Sequence, residues 1–445
     1  MRVLIAVHGF PPTHYAGAER VAERIVKWLV AHGHYVEVFT IGSLTAPEFQ
    51  LETRQEAGFV VHQISYNVKA GDYFRNLYDY PLIAETLSDI LNRGQFDLVH
   101  MISGYLLGAQ VINTVKAAGI PIVVTLTEYW FMCSRLNLLH PNDELCIGPE
   151  NDAKCARCIL EEKRRFRLPA KAAPVLMNIF WSIAHQMPLA EAEQEAIARR
   201  REILQRALDA VDLVISPSQF LIKTFTQYGF ETSHFRLVRH GLNLIPAHRT
   251  APDPGEPAPK PLRLGFIGQI KVHKGLDLII DAVLPLLDTG ANISLDIWGP
   301  DKEALDFSRK LKKRTENYPA ISWHGRYHLA QVGEILSSFD VLIVPSRWYE
   351  NSPLVILEAF SAGLPVIATN LGGMAEMIEH EKSGLLFELN NAADLRAQIN
   401  RLLLNPDQLQ HLRTNIPPVK KGETEVEEVY AYYVSLTQAQ HQSEA

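Results

Sequence analysis

The chain has 445 residues, 47% of them apolar and 21% charged, and a formal net charge of −7. That length exceeds a typical single core and predicts two domains, and the acidic balance excludes a nucleic-acid surface as the main role. No uncharged apolar run reaches about 18 residues, which excludes an obvious membrane span, and the N-terminus reads as a first strand without a secretory leader, which predicts a cytoplasmic protein with reduced thiols.

Val3 to Val7 reads as a strand, and Val21, Ile25, Trp28 and Leu29 fall on one face of the helix that follows. Gly17 lies between the two. A glycine there lets backbone approach a phosphate or sugar; a tight strand-to-helix turn explains it equally well. Further strands are expected at Val36–Thr40, Phe59–Ile64, Asp97–Met101, Pro121–Leu126, Asp212–Ser216 and Phe235–Arg239. Continuous apolar runs separated by helices imply a parallel sheet covered on both faces. His100 follows one of these runs and either faces a crevice or is satisfied by a backbone partner.

An insertion over about residues 131–205 reads as a helical excursion and holds all four cysteines, Cys133, Cys146, Cys155 and Cys158. Four thiols ending in C-x-x-C suit a structural zinc or an iron–sulfur cluster; reduced thiols or a disulfide are the alternatives. A basic stretch follows (Lys163, Arg164, Arg165, Arg167 and Lys171). After it come Val175, Leu176, Ile179, Phe180, Trp181 and Ile183. That combination suits contact with an anionic membrane surface, or a helix packed on the core. Arg199, Arg200 and Arg201 read as a solvated face.

Residues 246–261 contain six prolines and predict a stiff, exposed linker between a first domain over 1–245 and a second over 262–423. Strands are then expected at Leu262–Ile267, Ile293–Trp298, Ile321–His324, Asp340–Val344 and Pro365–Ala368. Two doubly wound domains in tandem predict a ligand crevice at the carboxyl ends of their strands. A last helix within 424–445, capped by Thr424 with Glu427, is expected to pack back on the first domain.

The second domain carries the densest chemical signal. In G-Q-I-K-V-H-K-G, Gly268 ends a strand, and Lys274 and Gly275 are expected to open a helix. A lysine there disfavours the helix dipole and can reach a diphosphate. In E-N-S-P-L-V-I-L-E, Glu350 follows a buried strand and Glu358 lies in an apolar helix. Ser352 is expected as the N-cap and Pro353 as the first helical residue, which leaves backbone N–H groups free for an anion. Gly372 and Gly373 form a third turn, for which helix punctuation alone is the weaker reading.

With these elements in order, the chain resembles the group 1 family of retaining nucleotide-sugar glycosyltransferases, enzymes of the GT-B fold. The resemblance rests on A-G-A-E-R, G-H-Y-V-E-V, G-Q-I-K-V-H-K-G, P-S-R-W-Y-E-N-S-P-L-V-I-L-E-A-F-S-A-G-L-P-V-I-A-T and G-G-M-A-E-M-I. It implies an α/β architecture of two Rossmann-like domains with an acceptor-side and a donor-side half. It implies that Glu350 contacts the donor sugar and that Asn351, Ser352, Pro353 and Leu354 line the diphosphate. Glu358 would hold the ribose, Lys274 the leaving diphosphate, and Gly17, Gly268 and Gln269 would line the donor. Glu128, in T-L-T-E-Y-W, keeps an acid near the sugar. The departures are Gln269, where many relatives carry an arginine, and Thr127, where many carry a histidine. The implied function is sugar transfer from a nucleotide-diphosphate donor to a glycan or lipid-linked acceptor, with no cofactor required for catalysis. The competing reading is a GT-B protein that binds a nucleotide sugar without turnover.

Overall fold

Five consecutive fully buried residues, Val3 to Val7, make up most of the first strand, β1 (Arg2–Val7). The computed structural model describes residues 1–12, 16–184, 188–243, 260–301 and 304–444. The proline-rich stretch expected as a linker falls almost entirely outside them, as do His14 and Tyr15 beside Gly17. By their contacts the residues form two units, 1–239 with 423–445, and 240–422.

The first unit is built on an eight-stranded sheet. Its strands are β1, β2 (Tyr35–Ile41), β3 (Thr45–Gln55), β4 (Val60–Asn67), β5 (Leu98–Ile102), β6 (Ile122–Thr125), β7 (Leu213–Ser216) and β8 (Phe235–Leu237). Their spatial order is β3-β4-β2-β1-β5-β6-β7-β8, with every pair parallel except β3 with β4. β3 has no counterpart among the expected strands. None of its residues is buried, so it has no hydrophobic alternation to betray it, and Pro47 suits its edge position.

The insertion departs from a continuous helical excursion. Residues 131–151 form turns with one bridge, Leu139 to Leu145, and helices follow at Asp152–Glu162, Arg164–Ala172, Pro174–Ala184 and Pro188–Asp209. Of the arginine triplet, Arg199 and Arg201 are exposed, but Arg200 is 2% exposed and not part of a solvated face.

The last helix, Gly422–Glu444, starts two residues earlier than its expected cap, so Thr424 lies in its first turn. It packs on the first sheet. Val426, Val429 and Tyr433 share a core with Val3, Ile5 and Leu98, and Glu425 pairs with Arg24. His100 faces this helix from inside the core and not a crevice. Its Nδ1 is 2.5 Å from the Tyr433 hydroxyl and its Nε2 is 2.7 Å from Thr125 Oγ1, so side chains and not a backbone group satisfy it. Burial pushes its pKa down to about 3.

The second unit carries a six-stranded, wholly parallel sheet. Its strands are β9 (Leu262–Ile267), β10 (Ile293–Trp298), β11 (Ile321–Gly325), β12 (Val341–Val344), β13 (Val366–Thr369) and β14 (Gly384–Phe387), in the order β11-β10-β9-β12-β13-β14. The central strands β9 and β12 are neighbours, and the loops leaving their carboxyl ends carry the two strongest motifs. That neighbouring pair is what brings G-Q-I-K-V-H-K-G and E-N-S-P-L-V-I-L-E together.

Candidate functional site

The loop after β9 closes on the loop after β12 through a glycine. Residues Val272–Lys274 form a single 3-10 turn, and Gly275 follows at φ +72° as the cap of the helix Leu276–Asp288. A Cβ on Gly275 would stand 2.1 Å from the carbonyl oxygen of Pro345, the residue that follows β12. Both the left-handed backbone and the close approach therefore require glycine. Lys274 thus ends a turn before the helix and does not open it. Its side chain is held over the end of β12.

There Lys274 Nζ lies 2.5 Å from Glu350 Oε1. The same oxygen accepts from Trp348 Nε1 at 2.8 Å and from Ser346 Oγ at 3.0 Å. Glu350 is 8% exposed, and three donors on one oxygen account for a buried carboxylate. The loop itself is clamped. Arg347 forks onto both oxygens of Asp277 at 2.9 and 2.8 Å, and its Nε donates to Asn390 at 2.8 Å. Gly373 N–H donates to the Glu350 carbonyl at 2.7 Å, and a Cβ there would meet the Asn351 carbonyl oxygen at 1.8 Å. The paired glycines thus do more than punctuate a helix; they let Gly372–Met377 seat against Glu350 and Asn351.

The helix after this loop runs Leu354–Ser361. Its cap is Pro353, at φ −64° and ψ 115°, so Ser352 is not the N-cap and Pro353 is not the first helical residue. No side chain caps the helix, which leaves its first N–H groups without that partner. Asn351 is buried before it. Glu358 is buried within it, beside Ile356, Ala359 and Phe360, and is not free of partners. Gly268 follows β9, with its N–H donated to the Trp298 carbonyl, and Gln269 beside it is exposed. The structure therefore brings Lys274 and Glu350 into contact, with Asn351 to Leu354 and Glu358 following directly in the chain. The sequence alone does not single out Ser346, Arg347, Trp348 and Asp277. Polar residues two and four positions before a buried acid, at a strand's carboxyl end, are the signal it offers.

In the first unit, polar groups gather at the ends of β1, β5 and β6. His8 follows β1, and its Nε2 lies 3.4 Å from Glu19 Oε1. Glu19 sits in the first turn of the helix Gly17–Ala31, is 4% exposed, and accepts from the Ala16 N–H at 3.1 Å. Burial pushes the Glu19 carboxyl up, but the His8 contact and the backbone N–H groups outweigh it and hold the group below the usual carboxylate range. Among the described residues His8 Nδ1 is buried without a partner, and the Tyr105 ring stands edge-on to the imidazole with centroids 5.6 Å apart. Glu128, after β6, accepts from the Gly104 N–H at 3.2 Å and from the Thr127 hydroxyl. Gly17 is exposed at the helix start, and among the described residues a Cβ on it would meet nothing within 4 Å. His8 and Glu19 are not among the residues expected from the sequence. A polar residue at the end of a fully apolar strand in a doubly wound sheet is the clue to them.

All four cysteines line one cavity of about 30 Å³, together with Leu138 and Ile159. None forms a disulfide. Burial pushes the thiols up, Cys155 to about 12 and Cys133 and Cys158 in the same direction. Among the described residues, no three His, Cys, Asp or Glu side chains already stand in the arrangement a metal ion requires.

Residues 249–417 match the family "Glycosyl transferases group 1", and residues 16–146 match the "Glycosyl transferase 4-like domain". A D-inositol 3-phosphate glycosyltransferase of Pseudarthrobacter chlorophenolicus is 30% identical over 220 residues, covering 46% of this chain and 51% of the relative. A lipopolysaccharide core biosynthesis mannosyltransferase of Rhizobium meliloti is 30% identical over 146 residues, covering 31% and 39%. The chain thus spans about half the length of the curated relatives it matches. The crystal structure of Anabaena HepE in complex with UDP superposes with a TM-score of 0.65 at 15% identity, covering 98% of this chain and 100% of that one. At that identity the likeness speaks for fold alone: the two parallel-sheet units are those of a GT-B fold.

Proposed function

The chain belongs to the group 1 glycosyltransferases, and from that premise we propose that it transfers a sugar from a nucleotide-diphosphate donor to a hydroxyl of a glycan or lipid-linked acceptor. The observation that carries this reading is the Lys274–Glu350 contact at the neighbouring ends of β9 and β12. A lysine ammonium has three N–H donors, so pairing with Glu350 leaves others for a diphosphate. As the sugar C1–O bond breaks, the electron pair and negative charge pass to the departing diphosphate. Lys274 and the uncapped N–H groups at Leu354–Ser361 are the groups that would stabilise it. Glu350 is the carboxylate proposed to stabilise positive charge at the anomeric carbon and hold the sugar hydroxyls. Glu358 would take the ribose. Gly268 and Gln269 would line the donor; for Gly17 and Glu128, in the first unit, we propose donor-binding and catalytic roles. We assign retention of anomeric configuration. The acceptor hydroxyl then attacks from the face the diphosphate leaves, and its proton passes to the departing phosphate oxygen.

Polysaccharide or glycolipid synthesis is the setting we propose, with peripheral attachment to an anionic membrane. On the helix Pro174–Ala184, Val175, Leu176, Ile179, Phe180 and Ile183 are 39–70% exposed. Arg165 and Arg167 nearby are exposed as well. An apolar face beside basic residues is the pattern that inserts into an interface. No described helix is long and apolar enough to cross a membrane. Co-sedimentation with anionic vesicles at low salt is expected; protein left wholly in the supernatant contradicts the attachment.

Gln269 and Thr127 favour a second reading, a nucleotide-sugar binder without turnover, because an amide brings no charge to a phosphate. Incubation with a panel of radiolabelled nucleotide sugars separates the two. Donor consumption that disappears in Glu350→Gln supports transfer. Tight binding with no turnover for any donor and acceptor supports the binder.

A further inference from the structure

We propose that Cys133, Cys146, Cys155 and Cys158 bind a single Zn²⁺ as a tetrathiolate, and that this centre is the counter-charge of the buried Arg200 guanidinium. The first observation is convergence. The four thiols come from three separate pieces of chain: the loop after β6, the turns around the Leu139–Leu145 bridge, and the helix Asp152–Glu162. They nonetheless line one cavity. Cys155 and Cys158 lie three apart on that helix and so share a face. A cavity of about 30 Å³ admits one ion of water size and is too small for a four-iron cube. Among the described residues, the four sulfurs are not placed to hold a metal ion as they stand. Binding therefore requires them to turn inward about χ1 until each sulfur stands about 2.3 Å from the metal.

The second observation is Arg200. It is 2% exposed, and among the described residues no carboxylate pairs with it. Among the described residues, it donates a hydrogen bond to the Trp130 carbonyl and makes ring contacts with Trp130 at 4.3 Å and Tyr78 at 5.8 Å, while its Nε finds no partner there. A buried, uncompensated cation is costly. The charged groups within electrostatic reach of Arg200 that could become anionic include Cys133 and Cys155. Arg135 and Lys154 also face the cluster. Zinc binding by four thiols releases four protons and leaves a centre of net charge −2. That charge supplies what Arg200 lacks; Arg135 and Lys154 already pair with Glu162 and Glu150. The centre would also tie Cys133, and with it the segment carrying Glu128, to the helix Asp152–Glu162.

The test is elemental analysis and thiol titration of the full chain purified without chelator. The expectation is about one equivalent of zinc, negligible iron, and four thiols that react only after denaturation with chelator. Cys155→Ser with Cys158→Ser should lose the zinc. Should that variant fail to fold, cobalt exchange into the native protein gives an independent readout: tetrahedral ligand-field bands with sulfur-to-cobalt charge transfer. Arg200→Met should weaken zinc binding by about 10- to 100-fold, while Arg200→Lys, which keeps the charge, should restore most of it. Less than a tenth of an equivalent of zinc, stoichiometric iron with sulfide, or an intact mass lowered by disulfide formation overturns the proposal. Unchanged zinc affinity in Arg200→Met overturns the counter-charge.

Discussion

The two units hold their acids at sheet ends by different means. In the second unit, one oxygen of Glu350 accepts from Lys274, Trp348 and Ser346, and closely packed glycines fix the loops around it. In the first unit, Glu128 is held by a backbone N–H and its own neighbour Thr127, and among the described residues His8 keeps a buried Nδ1 without a partner. The backbone there is also less regular, with Ser103 at φ +72° and Leu106 at φ +63°. A preorganised acid suits a fixed ligand common to a family. A sparsely bonded one leaves capacity for a partner that differs from protein to protein.

That contrast can be broken first at the acids. Glu350→Gln keeps shape and removes charge, and is expected to lower turnover about 10²- to 10³-fold. Glu128→Gln should cost about tenfold. A reversed ranking in initial rates at saturating donor would refute the contrast.

The glycines sharpen it next. Gly275→Ala meets both a positive φ and the Pro345 carbonyl, and should lower stability by about 1–3 kcal/mol in denaturant unfolding. Gly17→Ala meets open space and should unfold within about 0.5 kcal/mol of the wild type. Equal losses would show that backbone locking does not distinguish the units.

A further test concerns pH. His100 has its folded pKa depressed to about 3, so the unfolded chain binds its proton more readily. Its contribution is full above the unfolded value of about 6.5 and is lost as pH falls toward about 3, with a limiting slope of about 1.4 kcal/mol per pH unit. His100→Asn should remove that slope from the wild-type profile between those values. An unaltered slope would contradict the assignment.

Most of the parallel strands are legible in the sequence because the central ones are continuous apolar runs. β9 and β10 match their expected limits to the residue, whereas β3 is exposed along its length and leaves no pattern. The Lys274–Glu350 contact depends on β9 and β12 being neighbours, which the βα rhythm suggests without fixing. The donors Trp348 and Ser346 lie inside the quoted motif, but only the folded loop turns both toward one oxygen. Arg200 escapes a sequence reading because its neighbours Arg199 and Arg201 are exposed, and helical phase alone does not reveal which of three consecutive arginines turns inward. Likewise, spacing suggests a shared role for the cysteines, but only the fold lines all four on one cavity.

Lys274 and Glu350 are proposed to divide one activated sugar between them, amine to diphosphate and acid to sugar. Calorimetric titration of nucleoside diphosphates into wild-type protein, Lys274→Met and Glu350→Gln tests it most directly. Binding is expected to weaken at least about tenfold in Lys274→Met and to change little in Glu350→Gln, because of these two side chains the lysine is the one proposed to meet the diphosphate. Wild-type affinity in Lys274→Met for every diphosphate that binds would contradict it.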